Sequence, residues 1–255
     1  MCGIAGIVDF KRNLSKEKDI ICRMVKTLER RGPDSEGTYI TENVLFGHRR
    51  LVVVDPEGGK QPMIKQVGNR KYVVVYNGEL YNTEDLRKEL LEEGYKFDSY
   101  SDTEVLLTSY IAWGIDCISK LNGIFAFAIY DEGKRQVFLA RDPMGVKPLF
   151  YSKLGNTLIF GSEIKTILAH PEIKAEVDKE GLTELFALGP AVAPGHAIYR
   201  GINEIAPANC MLITEDNMKI WEYWKVTARE LNETTDESVS HVRQLLIDAI
   251  KRQLV

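Results

Sequence analysis

Cys2 directly follows Met1. Its small side chain leads us to expect Met1 to be trimmed, after which the residue carries a free α-amino group beside its thiol. A thiol with a pKa of about 8.5 is only partly ionised at neutral pH. An α-amino group, with a pKa of about 7.7–8.0, can take the thiol proton directly or through one water. One residue then supplies both nucleophile and base. The four histidines, His48, His170, His196 and His241, show no triad-like signature. Of these only His48 lies near the suspected site, and it reads as structural.

A cysteine at position 2 is weak evidence alone, but three further segments add to it. His48-Arg49-Arg50-Leu51 leads into Val52-Val53-Val54-Asp55. A guanidinium at the start of a β-run can hold a carboxylate by a bidentate pair, and Arg49 reads as a plain surface arginine. Asn77-Gly78 follows the apolar run YVVVY. Such a pair is ordinarily a turn, yet the Asn amide and the Gly backbone N–H together would make an oxyanion hole. Asp102, in Ser101-Asp102-Thr103-Glu104, has an ordinary explanation at a helix N-terminus and could also bind an ammonium group. A hole, a carboxylate clamp and an ammonium clamp together describe the ends of a free amino acid with a side-chain amide. The cysteines and histidines have no metal-ligand spacing.

These residues need a scaffold, and the chain has the material for one. With 44% apolar and 27% charged residues, the balance is that of a globular protein. A net charge of −4 with no basic tract argues against nucleic acid as a partner. No apolar run approaches the roughly 18 residues that span a bilayer, and the N-terminus lacks a signal-peptide pattern; the cytoplasm is the expected location. Cys22, Cys117 and Cys210 sit among apolar neighbours and read as reduced core residues.

Periodicity places strands at 2–8, 37–40, 44–48, 50–55, 72–76, 123–131, 136–141, 149–153, 157–161, 208–214 and 219–224. It places helices after Ser15, at 84–92, from 102, and near 163–169 and 179–188. A capping-box pattern at Thr234 and Glu237 opens a last amphipathic helix carrying Val239, Val242, Leu246 and Ile250. The reading is α+β, with stacked sheets covered by helices.

The motifs MCGIAG, RRGPDSEG, HRRLVVVD, YNGELYN, SDTEV, LNGIFAFAIYD, ARDPMGVKPLFY and GSEIKTIL occur in order. In them the sequence resembles the N-terminal glutaminase domain of asparagine synthetases, class II glutamine amidotransferases. The resemblance implies the N-terminal-nucleophile hydrolase fold, a four-layer αββα sandwich of two antiparallel sheets. It implies that Cys2 attacks the amide of L-glutamine and that Asn77 and Gly78 form the oxyanion hole. Arg50 would bind the α-carboxylate, with the backbone of Leu51, Val52, Val53 and Val54 lining the pocket. Glu79 would contact the amino-acid end, Asp102 would hold the α-ammonium group, and Arg31 to Asp34 would lie near the nucleophile. Residues 1–224 would be the amidotransferase domain, and 225–255 a linker plus the first helix of a truncated ATP-dependent synthetase domain. No cofactor is expected in these residues. ATP and Mg²⁺ would belong to the missing synthetase domain, which would amidate aspartate, and a homodimer is a candidate assembly. Glucosamine-6-phosphate synthase, amidophosphoribosyltransferase, specialised relatives such as β-lactam synthetases and a non-catalytic domain of the same fold stay open as alternatives.

Overall fold

The computed structural model describes residues 1–53, 55–189 and 193–254. One six-stranded sheet contains β1 (Gly3–Val8), β2 (Ser35–Ile40), β3 (Val44–Arg50), β8 (Phe150–Leu154), β9 (Thr157–Gly161) and β10 (Ile202–Glu204). They run in the order β10-β8-β9-β1-β3-β2. The other contains β4 (Met63–Val67), β5 (Arg70–Leu80), β6 (Gly123–Asp131), β7 (Gln136–Arg141), β11 (Asn209–Ile213) and β12 (Met218–Glu222). Its order is β12-β11-β7-β6-β5-β4. Neighbouring strands pair antiparallel in both sheets.

Three apolar layers hold the sandwich. Between the sheets lie Ile4, Val8, Val44, Phe46, Val73, Val75, Leu139 and Phe160. The helices α1 (Lys18–Lys26) and α4 (Ile164–Leu168) cover the first sheet through Ile21, Met24, Val25 and Ile167. The helices α2 (Thr83–Glu92) and α3 (Asp102–Trp113) cover the second through Leu86, Leu90, Val105 and Tyr110. The layers are therefore helix, sheet, sheet, helix, as expected. The remaining helices are α5 (Lys179–Leu188) and α6 (Thr235–Gln253).

Strand alternation aims the chemistry. Successive residues of a strand face opposite sides. On β1, Ile4 and Val8 face the other sheet while Ala5 and Ile7 face the helices. On β3, Val44 and Phe46 face the other sheet, and on β5 so do Val73 and Val75. Continued in the same parity, the rows reach Cys2, then His48 and Arg50, then Asn77 and Glu79. The rows thus bring Cys2, Arg50, Asn77 and Glu79 to one mouth of the sandwich, with His48 buried behind them.

Several boundaries differ from the sequence reading. Of the strand expected over 50–55, the described residues 51–53 and 55 form none; β3 ends at Arg50, so Arg50 closes a strand instead of opening one. The apolar run that follows departs from the sheet, and Asp55 takes a φ of +45°. β4 and β10 were not anticipated. Ser15 does not cap α1, which begins at Lys18 after a short 3-10 turn. Ser101 caps α3 by accepting from the Thr103 N–H, but the Glu104 carboxylate turns instead to Lys65, Asp98 and Ser99. At Thr234 and Glu237 the reciprocal capping box forms. Cys117 and Cys210 are buried, whereas Cys22 is exposed and is no core residue. No helix among the described residues is long and apolar enough to cross a membrane.

Candidate active site

Where the rows end lies a cleft of about 170 Å³ that brings together Cys2, Arg50, Asn77, Gly78, Glu79 and Asp102. Leu51 and Val53 also line it. Val52 does not: it is exposed, and its N–H donates to Asp34 at 2.7 Å. Val54 lies outside the described residues.

Cys2, the expected nucleophile, is held through both its thiol and its carbonyl. The Cys2 thiol donates to the Leu51 carbonyl at 3.6 Å. The Arg31 Nε donates to the Cys2 carbonyl at 2.9 Å, and the Arg31 guanidinium pairs with Glu163 at 3.3 Å. The loop carrying Arg31 lies against β3, with the Asp34 N–H donating to the Arg50 carbonyl at 3.0 Å. Gly32 is required there, because a Cβ would sit 2.3 Å from the Arg49 carbonyl carbon. Burial pushes the Cys2 thiol up from its ordinary value, so unaided it is almost wholly protonated at neutral pH and needs a base.

His48 is not that base. It is buried, its Nε2 lies 3.1 Å from the Tyr76 carbonyl, and burial pushes its pKa down to about 3. It stays neutral and ties the sheets together, as the structural reading expected. Arg49 is not an open surface residue: its side chain is 13% exposed and pairs with Glu36 at 2.7 Å.

Asn77 and Gly78, the expected oxyanion-hole pair, lie on β5. Asn77 is 1% exposed, and its Nδ2 has no hydrogen-bond partner among the described residues. A buried amide donor is rarely left unpaired; here it lines the cleft beside Cys2. Gly78 stands opposite Phe125 on β6. The N–H and C=O of Phe125 both go to Asp142, at 3.2 and 2.8 Å, and β4 pairs with β5 only as far as Val74. The Gly78 N–H therefore belongs to neither ladder. Its neighbours along that edge are committed, Tyr76 N–H to Gln61 Oε1 at 2.6 Å and Leu80 N–H to Asp102 Oδ2 at 3.3 Å. A Cβ at Gly78 would meet the Ile124 carbonyl oxygen at 2.5 Å, which is why glycine stands there.

Arg50 and Asp102, the expected carboxylate and ammonium clamps, line the same cleft from different elements. Arg50, 5% exposed, closes β3 and gives Nη1 to the Pro56 carbonyl at 2.8 Å and Nη2 to the Asp55 carbonyl at 2.6 Å. Asp102 opens α3 and accepts from the Tyr76 hydroxyl at 2.8 Å. Burial pushes the Asp102 carboxyl up, against these hydrogen bonds.

The sequence reading missed Gln61, Thr103 and Lys147, which also line the cleft. Lys147 sits in the quoted segment ARDPMGVKPLFY, but nothing local marks it as a wall of the site. Gln61 reaches the site through tertiary packing, bridging the Tyr76 N–H and, at 3.3 Å, the Thr103 hydroxyl. A second recess of about 340 Å³, at Asp9, Thr157 and His170, has no cysteine among its described lining residues. Among the described residues no cluster could hold a metal ion.

The chain belongs to the glutamine amidotransferase domain family, whose model matches residues 1–224. It is 54% identical over 255 residues to asparagine synthetase [glutamine-hydrolyzing] 3 of Bacillus subtilis (strain 168), covering all of this chain and 42% of that protein. Asparagine synthetase [glutamine-hydrolyzing] 1 of the same organism is 33% identical, over 98% of this chain and 39% of that one. The chain thus spans less than half the length of these relatives. Among solved structures, the glutamine phosphoribosylpyrophosphate amidotransferase of B. subtilis, complexed with ADP and GMP, superposes with a TM-score of 0.63. It is 20% identical and covers 88% of this chain and 49% of its own, a likeness of fold. That fold is an α+β sandwich of two antiparallel sheets between helical layers.

Proposed function

We propose that this chain hydrolyses L-glutamine to L-glutamate and ammonia, with Cys2 as nucleophile. The observation that carries the reading is the convergence, in one cleft, of the Cys2 thiol, the unpartnered Asn77 amide, Arg50 and Asp102. Removal of Met1 starts the chemistry. While Met1 is attached, the Cys2 nitrogen is an amide with no useful basicity; Met1 is 56% exposed and open to an aminopeptidase. Once freed, the α-amino group takes the thiol proton.

Arg50 receives the α-carboxylate of glutamine, Asp102 its α-ammonium group, and Glu79 lies beside that end. The side-chain amide then reaches Cys2. Attack of the thiolate makes a tetrahedral oxyanion, which Asn77 Nδ2 and the Gly78 N–H stabilise. The α-amino group returns its proton to the departing ammonia, and water cleaves the γ-glutamyl thioester.

For the whole protein we propose that the ammonia is used to convert aspartate to asparagine, with ATP and Mg²⁺ bound by a synthetase domain for which residues 225–255 supply the linker and first helix. The names of the relatives support this reading, and the cytoplasm is its proposed setting. Intact mass should show Met1 absent, and purified protein should release glutamate from glutamine and take up 6-diazo-5-oxo-norleucine on Cys2. Glutaminase activity retained by Cys2→Ala would sink the mechanism, and an unlabelled Cys2 on Met1-free protein would favour a non-catalytic domain.

A further inference from the structure

Glutamine carries its α-carboxylate and α-ammonium groups on one carbon, so the two clamps must hold neighbouring groups. Their tolerance is tight, because a misplacement of about 1 Å can cost on the order of a hundredfold in rate. Yet Arg50 and Asp102 come from segments far apart in sequence. Arg50 is oriented by the loop after β3, and Asp102 by the turn entering α3.

Beside the Gln61–Thr103 bond, the Asp55 side chain joins the two segments, and alone of the two residues Asp55 also holds Arg50. Asp55 Oδ1 accepts from the Gly58 N–H at 2.7 Å and folds its own loop. Asp55 Oδ2 accepts from the Tyr100 N–H at 3.0 Å, across 45 residues of sequence. The carbonyl of the same residue accepts Arg50 Nη2 at 2.6 Å. Its φ of +45° lets the carbonyl meet Arg50 while the carboxylate meets Tyr100; aspartate is among the few residues other than glycine that enter this region readily. Behind Tyr100, the Glu104 carboxylate fixes the Asp98 and Ser99 N–H groups at 2.9 and 2.7 Å. The Arg50 loop is thereby referred to a turn that is itself anchored on α3.

We propose that Asp55 is a positioning residue that sets the spacing between the carboxylate clamp and the ammonium clamp. The proposal rests on the glutaminase reading above. Asp55 does not line the cleft and acts through Arg50. Glu57, an exposed carboxylate in the same loop with no bonded partner among the described residues, is the control.

The test compares D55N, D55G and E57Q with wild type in the intact, Met1-free polypeptide, by glutamate release and by amide exchange of Gly58 and Tyr100. Asparagine offers one acceptor oxygen to two N–H groups; glycine keeps the left-handed backbone and removes both acceptors. D55N is expected to raise KM for glutamine about tenfold with kcat changed less than about threefold, D55G to raise it further, and E57Q to leave both unchanged. Exchange at Gly58 and Tyr100 should quicken in the same order. A wild-type KM in D55G, or a fall in kcat at constant KM, overturns the proposal, as does unchanged exchange in both variants. A wild-type protein that releases no glutamate would count against the glutaminase reading instead, and the exchange measurement would still test the brace.

Discussion

At the residue scale the site works by what it leaves unpaired. The Asn77 amide is buried without a partner, and the Gly78 N–H is excluded from both strand ladders. On the proposed mechanism both donors serve the oxyanion and need no reorganisation as charge develops. Asn77→Ala is expected to lower kcat for glutamine about 10²–10³-fold with little change in KM, the pattern of a donor used only in the transition state. Asp102 makes the opposite bargain. Burial raises its carboxyl, so the folded protein binds a proton there more readily than the unfolded chain does. The resulting penalty is absent below the ordinary carboxylate value, grows as pH rises through the folded pKa, and is complete above it. Asp102→Asn keeps an oxygen for the Tyr76 hydroxyl and the Leu80 N–H but removes the buried charge. Thermal unfolding at neutral pH should therefore move to higher temperature while the KM for glutamine rises. A lower unfolding temperature, or an unchanged KM, would contradict this account.

At the element scale, much of the fold could be read from the chain because strand and helix periods are strong where one face is buried. α1, buried through Ile21, Met24 and Val25, follows this rule; β5 and β6 are buried on both faces and read as long apolar runs, and α3, buried from Thr103 to Tyr110, was placed by its cap. The failures have physical causes. Val52 and Val53 are β-branched and follow a strand, so pattern alone continues it, but they are exposed and the chain has already left the sheet. β10 is only three residues long and carries no usable period. Of the site, Cys2, Arg50, Asn77, Gly78 and Asp102 were legible because each stands in a distinctive local motif. Gln61 and Lys147 were not, since their places follow from tertiary packing. Glu104 shows the same limit: its capping-box spacing suggests a local bond, whereas tertiary structure gives it to Lys65 at 2.6 Å and to the Asp98–Ser99 backbone. Burial pushes this carboxyl up, but the bonds from Lys65, Asp98 and Ser99 outweigh it and hold it below its usual range. Its contribution is present above the ordinary carboxylate value and is lost as pH falls through the lower folded one. Its side chain is 4% exposed and that of Lys65 17%, so Glu104→Ala strands a largely covered cation. Denaturant unfolding near neutral pH should show a loss of about 3–5 kcal/mol. A loss under about 1 kcal/mol would mean that Lys65 escapes to water, as at an exposed pair.

At the scale of the whole molecule, the sandwich and α6 obey different rules. Every layer of the sandwich has an apolar face met by another layer. None of the described residues of α6 is buried, although Val239, Val242, Leu246 and Ile250 fall at helical spacing and are each at least half exposed. The side-chain bond linking α6 to the sandwich is the exposed pair Arg252–Asp85 at 2.9 Å, which water and salt screen. An amphipathic helix of 19 residues with a formed capping box but no packed face is marginal by itself. On the proposed boundary, its apolar stripe is completed by the domain that follows. Ending the chain after Trp224 should then remove no core residue and leave the unfolding midpoint of the sandwich unchanged. Far-ultraviolet circular dichroism and amide exchange on residues 1–224 and 1–255 provide the comparison. In the longer chain, α6 amides should exchange far faster than those of β1, β5 and β6. Slow exchange in α6, or a sandwich weakened by its removal, would show that the helix packs on this domain and would move the boundary beyond it.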